Sequence, residues 1–262
     1  MSESLLYRQE GAVGVLQINR PQRKNSFNSE LRRELRERVG QIGRDKTLRA
    51  LVITGGEEMF CAGADIVEIS NDTRQMSAET EYLRSREFQS AFDAIEQLPQ
   101  PVVAAIGGFA FGGGCELALA CDFRIAAENA TIGLPEVKVG AFPAAGGSQR
   151  LPRLIGVARA KELILTGEVV KAPQALAIGL VTRVVPQGRV VAEAIEFASK
   201  FAQLPRVAVQ AAKMLITRGP ELELSAALEL EARTAGGVGT SHDFREGFRA
   251  FLEKRKPHFT GE

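Results

Sequence analysis

Histidine is nearly missing from this chain. Only His242 and His258 occur among 262 residues, both close to the C-terminus. A triad or a Cys–His pair would have to borrow one of them, and no Cys/His set has the spacing of a zinc site. Cysteine is scarce as well, with Cys61, Cys115 and Cys121 alone. So small and odd a number does not fit a disulfide framework. Their small or apolar neighbours point to buried free thiols, which suit a reducing compartment. Net charge is almost nil, 33 basic residues against 32 acidic, so no global field draws nucleic acid or a membrane surface. The longest apolar run, residues 101–111, is too short and too glycine-broken to span a bilayer. The opening MSESLLYRQEGAVG lacks a basic segment followed by an apolar one, so no signal peptide is read. A cytoplasmic protein is expected. Nothing resembles a Ser/Pro-rich linker or a low-complexity tract.

What is there suffices for a large core: 45% of residues are hydrophobic and 25% charged. Residues 5–9 and 13–18 read as a hairpin. Asn28 or Ser29 can cap a helix starting at Glu30. Leu31, Leu35, Val39 and Ile42 recur on it at helical spacing. Arg32, Arg33, Glu34, Arg36, Glu37 and Arg38 are assigned to its other face, as a solvated surface or as an RNA-binding patch. Residues 49–54 and 102–106 read as buried strands. Between them, 79–98 reads as a helix with Tyr82, Leu83, Phe88, Phe92, Ile95 and Leu98 inward, after a surface loop over 70–78. Strands alternating with helices argue for an α/β core with largely parallel pairing. Beyond residue 150 come helices over 151–166, broken near Gly156, and over 173–178, then a strand over 181–185. Helical signals over 190–204, 207–217, 221–234 and 243–254 end the chain.

The chemistry concentrates in residues 107–150. Gly112, Gly113 and Gly114 precede CELALACDF, which reads as a helix. Glycine lets backbone amides approach a ligand, and a helix start aims free N–H groups at one point. The same three glycines also suit close strand–helix packing. The spacing fits neither a dinucleotide fingerprint nor a Walker loop. Glu116 lies in an apolar run, where burial raises a carboxyl pKa toward the range of proton transfer. Glu136 follows Pro135 between Leu134 and Val137. Each acid alone has a structural reading, as a helix-face residue or a helix-start carboxylate. Together, near a glycine turn, they form a plausible acid–base pair. Cys61-Ala62-Gly63-Ala64-Asp65 offers a second source of backbone amides.

FCAGADIVEI, then GGFAFGGGCELALACDFRIA, then IGLPEVKVGAFPAAGGSQRLPRLIG are similar to the crotonase superfamily, within it to the enoyl-CoA hydratases. The likeness runs from INRPQRKNSFN to EGFRAFLEKRKPHF, nearly the whole chain. It implies an α/β fold, a crotonase-like spiral of β-β-α units with a helical C-terminal trimerisation region. Residues 1–195 would be the spiral core carrying the site, and 196–262 the helical region for oligomerisation and active-site cover. It implies hydration of a 2-enoyl-CoA by Glu116 and Glu136, with Ala64 and Gly113 amides as an oxyanion hole. Glu136 would be the main proton-transfer residue, with Glu116 orienting water. CoA would meet Ala62, Gly63, Asp65 and Ile66. Lys24 would face its phosphates or be an ordinary surface lysine. Phe259 and Lys256 would approach it, from the same chain or from a neighbouring subunit. No metal or separate cofactor is implied, since CoA arrives with the substrate, and no nucleic acid or membrane partner. The assembly would be a homotrimer or a dimer of trimers. Leu134 stands where many relatives have a polar residue, and Phe111 and Phe142 are bulky, which leaves acyl-chain size open. An isomerase on the same scaffold, or a non-catalytic RNA-binding relative, are the alternatives.

Overall fold

In the computed structural model, which describes residues 4–72 and 77–262, the chain opens with an antiparallel hairpin of β1 (Leu5–Glu10) and β2 (Val13–Ile18). In α1 (Ser29–Arg44) the Asn28 side chain accepts from the Leu31 amide, satisfying one free N–H of the first turn. Next come β3 (Ala50–Thr54), α2 (Ile66–Asp72), α3 (Ala78–Glu96) and β4 (Val102–Ile106). Every residue of β3 and β4 is buried. Their unbroken apolar runs are what a strand covered on both faces requires.

Short elements follow: β5 (Phe109–Phe111), α4 (Gly113–Leu119), β6 (Phe123–Ala127), β7 (Thr131–Gly133), α5 (Gly147–Ile155), α6 (Val157–Thr166), β8 (Val169–Lys171), α7 (Ala172–Ala177) and β9 (Arg183–Val185). The end is helical: α8 (Val190–Ser199), α9 (Arg206–Arg218), α10 (Leu224–Gly239) and α11 (His242–Leu252). Among the described residues no strand follows β9.

One sheet has the order β1-β2-β3-β4-β6-β9, parallel everywhere beyond the hairpin. A second, β5-β7-β8, is extended by a bridge between Cys61 and Ala110. The chain therefore steps from large sheet to small sheet to helix repeatedly. It does so through β3, Cys61 and α2–α3, then β4, β5 and α4, then β6, β7 and α5. This is a spiral of β-β-α turns.

Two expectations need correction. Arg32 is not on a solvated face. It is buried, stacks 4.4 Å from the centroid of Phe88 and pairs with Glu87 at 3.0 Å. Helix α3 packs along α1, so the buried arc of α1 is wider than its leucine stripe, and a planar guanidinium fits the widened seam. Conversely, Tyr82 and Leu83 are exposed at 63% and 58%. The first turns of α3 bury no side chain; packing starts at Phe88, which joins Phe27 and Phe92 in edge-on contacts. The loop expected over 70–78 is partly helix, since α2 runs to Asp72 and α3 starts at Ala78. Of the remainder, Ser77 caps α3, its side chain accepting from the Thr80 amide at 3.1 Å, and residues 73–76 lie outside the described residues.

Helix α8 packs on the large sheet, and Glu57 fixes its start by accepting from the Val190 and Val191 amides at 3.0 and 3.1 Å. The chain end folds back on α11. Buried Asp243 accepts from the Thr260 and Gly261 amides at 2.7 and 2.8 Å.

Candidate active site

The glycine turn leads from β5 into α4. All seven residues of α4 are buried, because the apolar sequence around Glu116 packs on every side. Gly63 has φ 103°, and a Cβ there would lie 2.9 Å from Phe111 O and 3.2 Å from Gly113 N. Only glycine lets the 62–65 segment rest on the start of α4. Phe27 N donates to Gly63 O, and Asp65 N donates to Phe27 O, each at 2.8 Å. This parallel bridge turns the Ala64 N–H away from Phe27. A methyl built on Gly113 would lie 3.6 Å from Ala64 N. The Gly113 N–H belongs to the first turn of α4, where no intrahelical acceptor exists. Among the described residues neither amide has a protein acceptor. Two free donors thus stand side by side at the junction of two separate turns of the spiral.

Glu116 is only 3% exposed. Its Oε1 accepts from the Ala145 and Gly147 amides, both at 2.8 Å. Burial pushes its carboxyl up to about 7; the nearby Glu136 adds to the rise, while the two amides and Arg150 oppose it. Glu136 stands in the first turn of a short 3-10 helix, Pro135–Val139. A methyl built on Gly112 would lie 3.2 Å from its Oε1. Its Oε2 is buried with no hydrogen-bond partner among the described residues. Burial raises the pKa of this carboxyl too. An unpartnered buried carboxylate oxygen is costly, and such groups concentrate where chemistry is done. Two carboxylates from different elements therefore flank the start of α4, one held by amides and one with an oxygen to spare. Such a pair can hold a water and move its proton.

The other candidates divide into two groups. Lys24 adopts φ 51°, its side chain is exposed, and its carbonyl accepts from Ala62 N at 3.0 Å. Lys24, Ala62, Gly63 and Ala64 thus form one continuous wall. Asp65 continues it, but its carboxylate pairs with Arg20 at 3.1 Å and accepts from Val67 N at 3.2 Å. Ile66 follows, with its side chain exposed. Lys256 and Phe259 are not part of this cluster within one chain. Phe259 lines an apolar groove of about 400 Å³ with Pro205, Val238, Phe244, Phe248 and Phe251. The neighbouring Thr260 O accepts from Arg49, just ahead of β3, whereas Ala64 lies beyond the far end of that strand. A five-residue strand spans roughly 16 Å. Leu134 is fully buried, Phe111 half-buried and Phe142 exposed. Among the described residues no cluster of three or more His, Cys, Asp or Glu is placed to hold a metal ion, and no helix is long and apolar enough to cross a membrane.

Sequence reasoning missed what holds Glu116. The Ala145 and Gly147 amides come from AAGG, a small-residue run at a helix start, which was a readable but unused signal. Arg150 and Gln89, which hold that run in turn, carried no signal of their own.

The enoyl-CoA hydratase/isomerase family model matches residues 8–262. A crotonyl-CoA hydratase of Syntrophomonas wolfei is 40% identical, over 98% of this chain and 98% of its own length. A short-chain-enoyl-CoA hydratase of Clostridium acetobutylicum is 40% identical, over 97% of this chain and 96% of its own. The crystal structure of an enoyl-CoA hydratase from Bacillus anthracis superposes with a TM-score of 0.93 at 43% identity, covering 99% of this chain and 100% of that one.

Proposed function

The chain belongs to the enoyl-CoA hydratase/isomerase family, and from that premise we propose that it adds water reversibly across the 2,3 double bond of a 2-enoyl-CoA. The thioester oxygen lies between the Ala64 and Gly113 amides. These donors favour the form in which negative charge has moved onto that oxygen, the enolate. Oxygen of the attacking water bonds to C3 as the π-electrons shift toward the carbonyl. One water proton passes to a carboxylate, and C2 receives a proton as the carbonyl reforms. Glu136, with its free buried Oε2, is the main proton carrier. Glu116, anchored through Oε1, orients the water and shares the proton as a coupled partner.

The observation that carries this reading is the meeting of two unpaired amides with two buried carboxylates at the start of α4. Isomerisation needs one proton shuttle, so a second carboxylate favours hydration.

CoA arrives as part of the substrate, and the reaction needs no separate cofactor. Its body runs along Ala62–Ile66 with Lys24 toward the phosphates. Phe259 and Lys256 reach it from an adjoining subunit, because within one chain they lie past the opposite end of β3. The protein works in the cytoplasm as a trimer or a dimer of trimers, joined through the helical region beyond residue 195. Crotonyl-CoA with the protein loses its conjugated enoyl-thioester absorbance as water is taken up. A 3-enoyl product without water uptake would replace this reading by the isomerase.

A further inference from the structure

We propose that Arg150 is a positioning residue, acting with Gln89 through the turn of residues 144–147 to fix the carboxylate of Glu116. The inference rests on the hydratase reading above.

The turn is held at two successive carbonyls. Gln89 Nε2, from the middle of α3, donates to Ala144 O at 2.8 Å. Arg150 Nη1, from α5, donates to Ala145 O at 3.3 Å. Holding Ala144 O turns the Ala145 amide of the same peptide the opposite way, and the backbone N–H of Arg150, donating to Gly146 O at 2.7 Å, does the same for the Gly147 amide, so that both meet Glu116 Oε1. Gly146 lies flat against the guanidinium: it has φ 115°, and a Cβ there would fall 2.0 Å from Arg150 Nη1. The guanidinium is itself fixed from the other side. Its Nη2 pairs with Asp93 at 2.6 Å and Glu96 at 2.8 Å, both on α3. One path therefore runs from α3 through Arg150 and the turn to Glu116, with no contact between Gln89 or Arg150 and the reacting atoms. The amides grip a single oxygen, so the turn sets where Oε2, the remaining oxygen, presents itself to water. Misplacement of a reacting group by about 1 Å from a remote change costs on the order of a hundredfold in rate. The charged groups facing Glu116 are Glu136 from the 3-10 turn and Arg150 from α5; those facing Arg150 are Asp93 and Glu96.

The test compares Gln89→Met, Arg150→Met and Arg150→Lys in the native background and in Glu116→Ala, with crotonyl-CoA as probe. Thermal unfolding checks that each variant folds. Arg150→Met is expected to lower kcat about a hundredfold and Gln89→Met about tenfold, with KM little changed. Arg150→Lys restores part of the loss. In Glu116→Ala neither variant lowers kcat further, because the group they position is gone. A fall of equal size in that background, or a rise in KM without loss of kcat, overturns the inference. Amide hydrogen exchange at Ala145 and Gly147 reads the turn without catalysis. Faster exchange in both methionine variants is expected, and exchange unchanged from wild type overturns the inference even if the protein proves not to be a hydratase. Gln89→Met keeps the question answerable if Arg150→Met fails to fold, since it removes one neutral bond and no charge. Wild-type protein inactive on every 2-enoyl-CoA would sink the hydratase reading alone.

Discussion

The spiral body and the helical end meet burial by different standards. In the body, β3 and β4 are sealed at every residue and all of α4 is buried, acid included. In the end region, α9 and α10 bury no residue at all. Ile216, Leu224, Phe248, Phe251 and Leu252 are each at least 60% exposed there. The body completes a core of its own, although Ile66, Val139 and Leu165 stay more than 70% exposed on it; helices α9 and α10 of the end region contribute nothing to a sealed core and leave apolar faces uncovered. Surfaces of that kind mark contacts with other molecules. The two acids and the two free amides sit in the part with the sealed core, and assembly is proposed for the part without one.

The sharpest break in that comparison is Glu136→Gln. It should lower hydration of crotonyl-CoA about a thousandfold, the usual scale for a general acid–base group, and leave the elution volume in size-exclusion chromatography unchanged. Near-wild-type turnover would remove Glu136 from its role. The next effect is one of stability. Glu116 rises from its ordinary 4.5 to about 7 in the fold. A carboxyl whose folded pKa is raised favours the native state below the unfolded value, and that advantage is lost as pH rises through 7. Glu116→Gln should therefore stabilise the protein by up to about 3 kcal/mol at pH 8 and by almost nothing at pH 4, read by denaturant unfolding at both. A pH-independent difference would show that the buried acid is not strained by ionisation.

Phe248→Asp tests the other region. An interface anchor of this type is worth about 2 kcal/mol or more, so subunit association should weaken at least thirtyfold in sedimentation while the far-ultraviolet spectrum holds. An unchanged assembly would place the contact elsewhere. Smallest is Phe259→Ala, expected to raise KM for crotonyl-CoA a few-fold, on the order of 1 kcal/mol, with kcat unmoved. A loss of kcat instead would link the end region to the chemistry.

These two regions also differed in how far they could be read beforehand. Strands β3 and β4 declared themselves as apolar pentapeptides, and the longer helices by their spacing, but β6, with Arg124 inside it, was not read and Phe123 was counted with the helix before it. Strands β5, β7 and β8 went unread too, since three residues hold too little of a two-residue period; β9, just as short, registered only as part of the Val- and Thr-rich run over 181–185. Glu116 and Glu136 were legible as acids in apolar company. The pairing of Ala64 with Gly113, some fifty positions apart, came through family likeness, since no local pattern encodes contact between two turns of a spiral. Arg32 was misread because helical periodicity reports one neighbour, and α1 has two. Tyr82 and Leu83 were misread for the opposite reason: α3 reaches past what it packs on.

Cys115 adjoins the pair of acids and is buried with them. A 2-enoyl thioester is a soft electrophile, and a thiolate would add at the same carbon as water, leaving the protein alkylated by its own substrate. Burial, reinforced by Glu116 and Glu136, pushes the Cys115 thiol far above its usual range, and burial pushes those of Cys61 and Cys121 up to about 12. Thiols held so firmly in the protonated form are poor nucleophiles. The carboxylates proposed to ready water for attack thus also add to the burial that disarms the sulfur beside them.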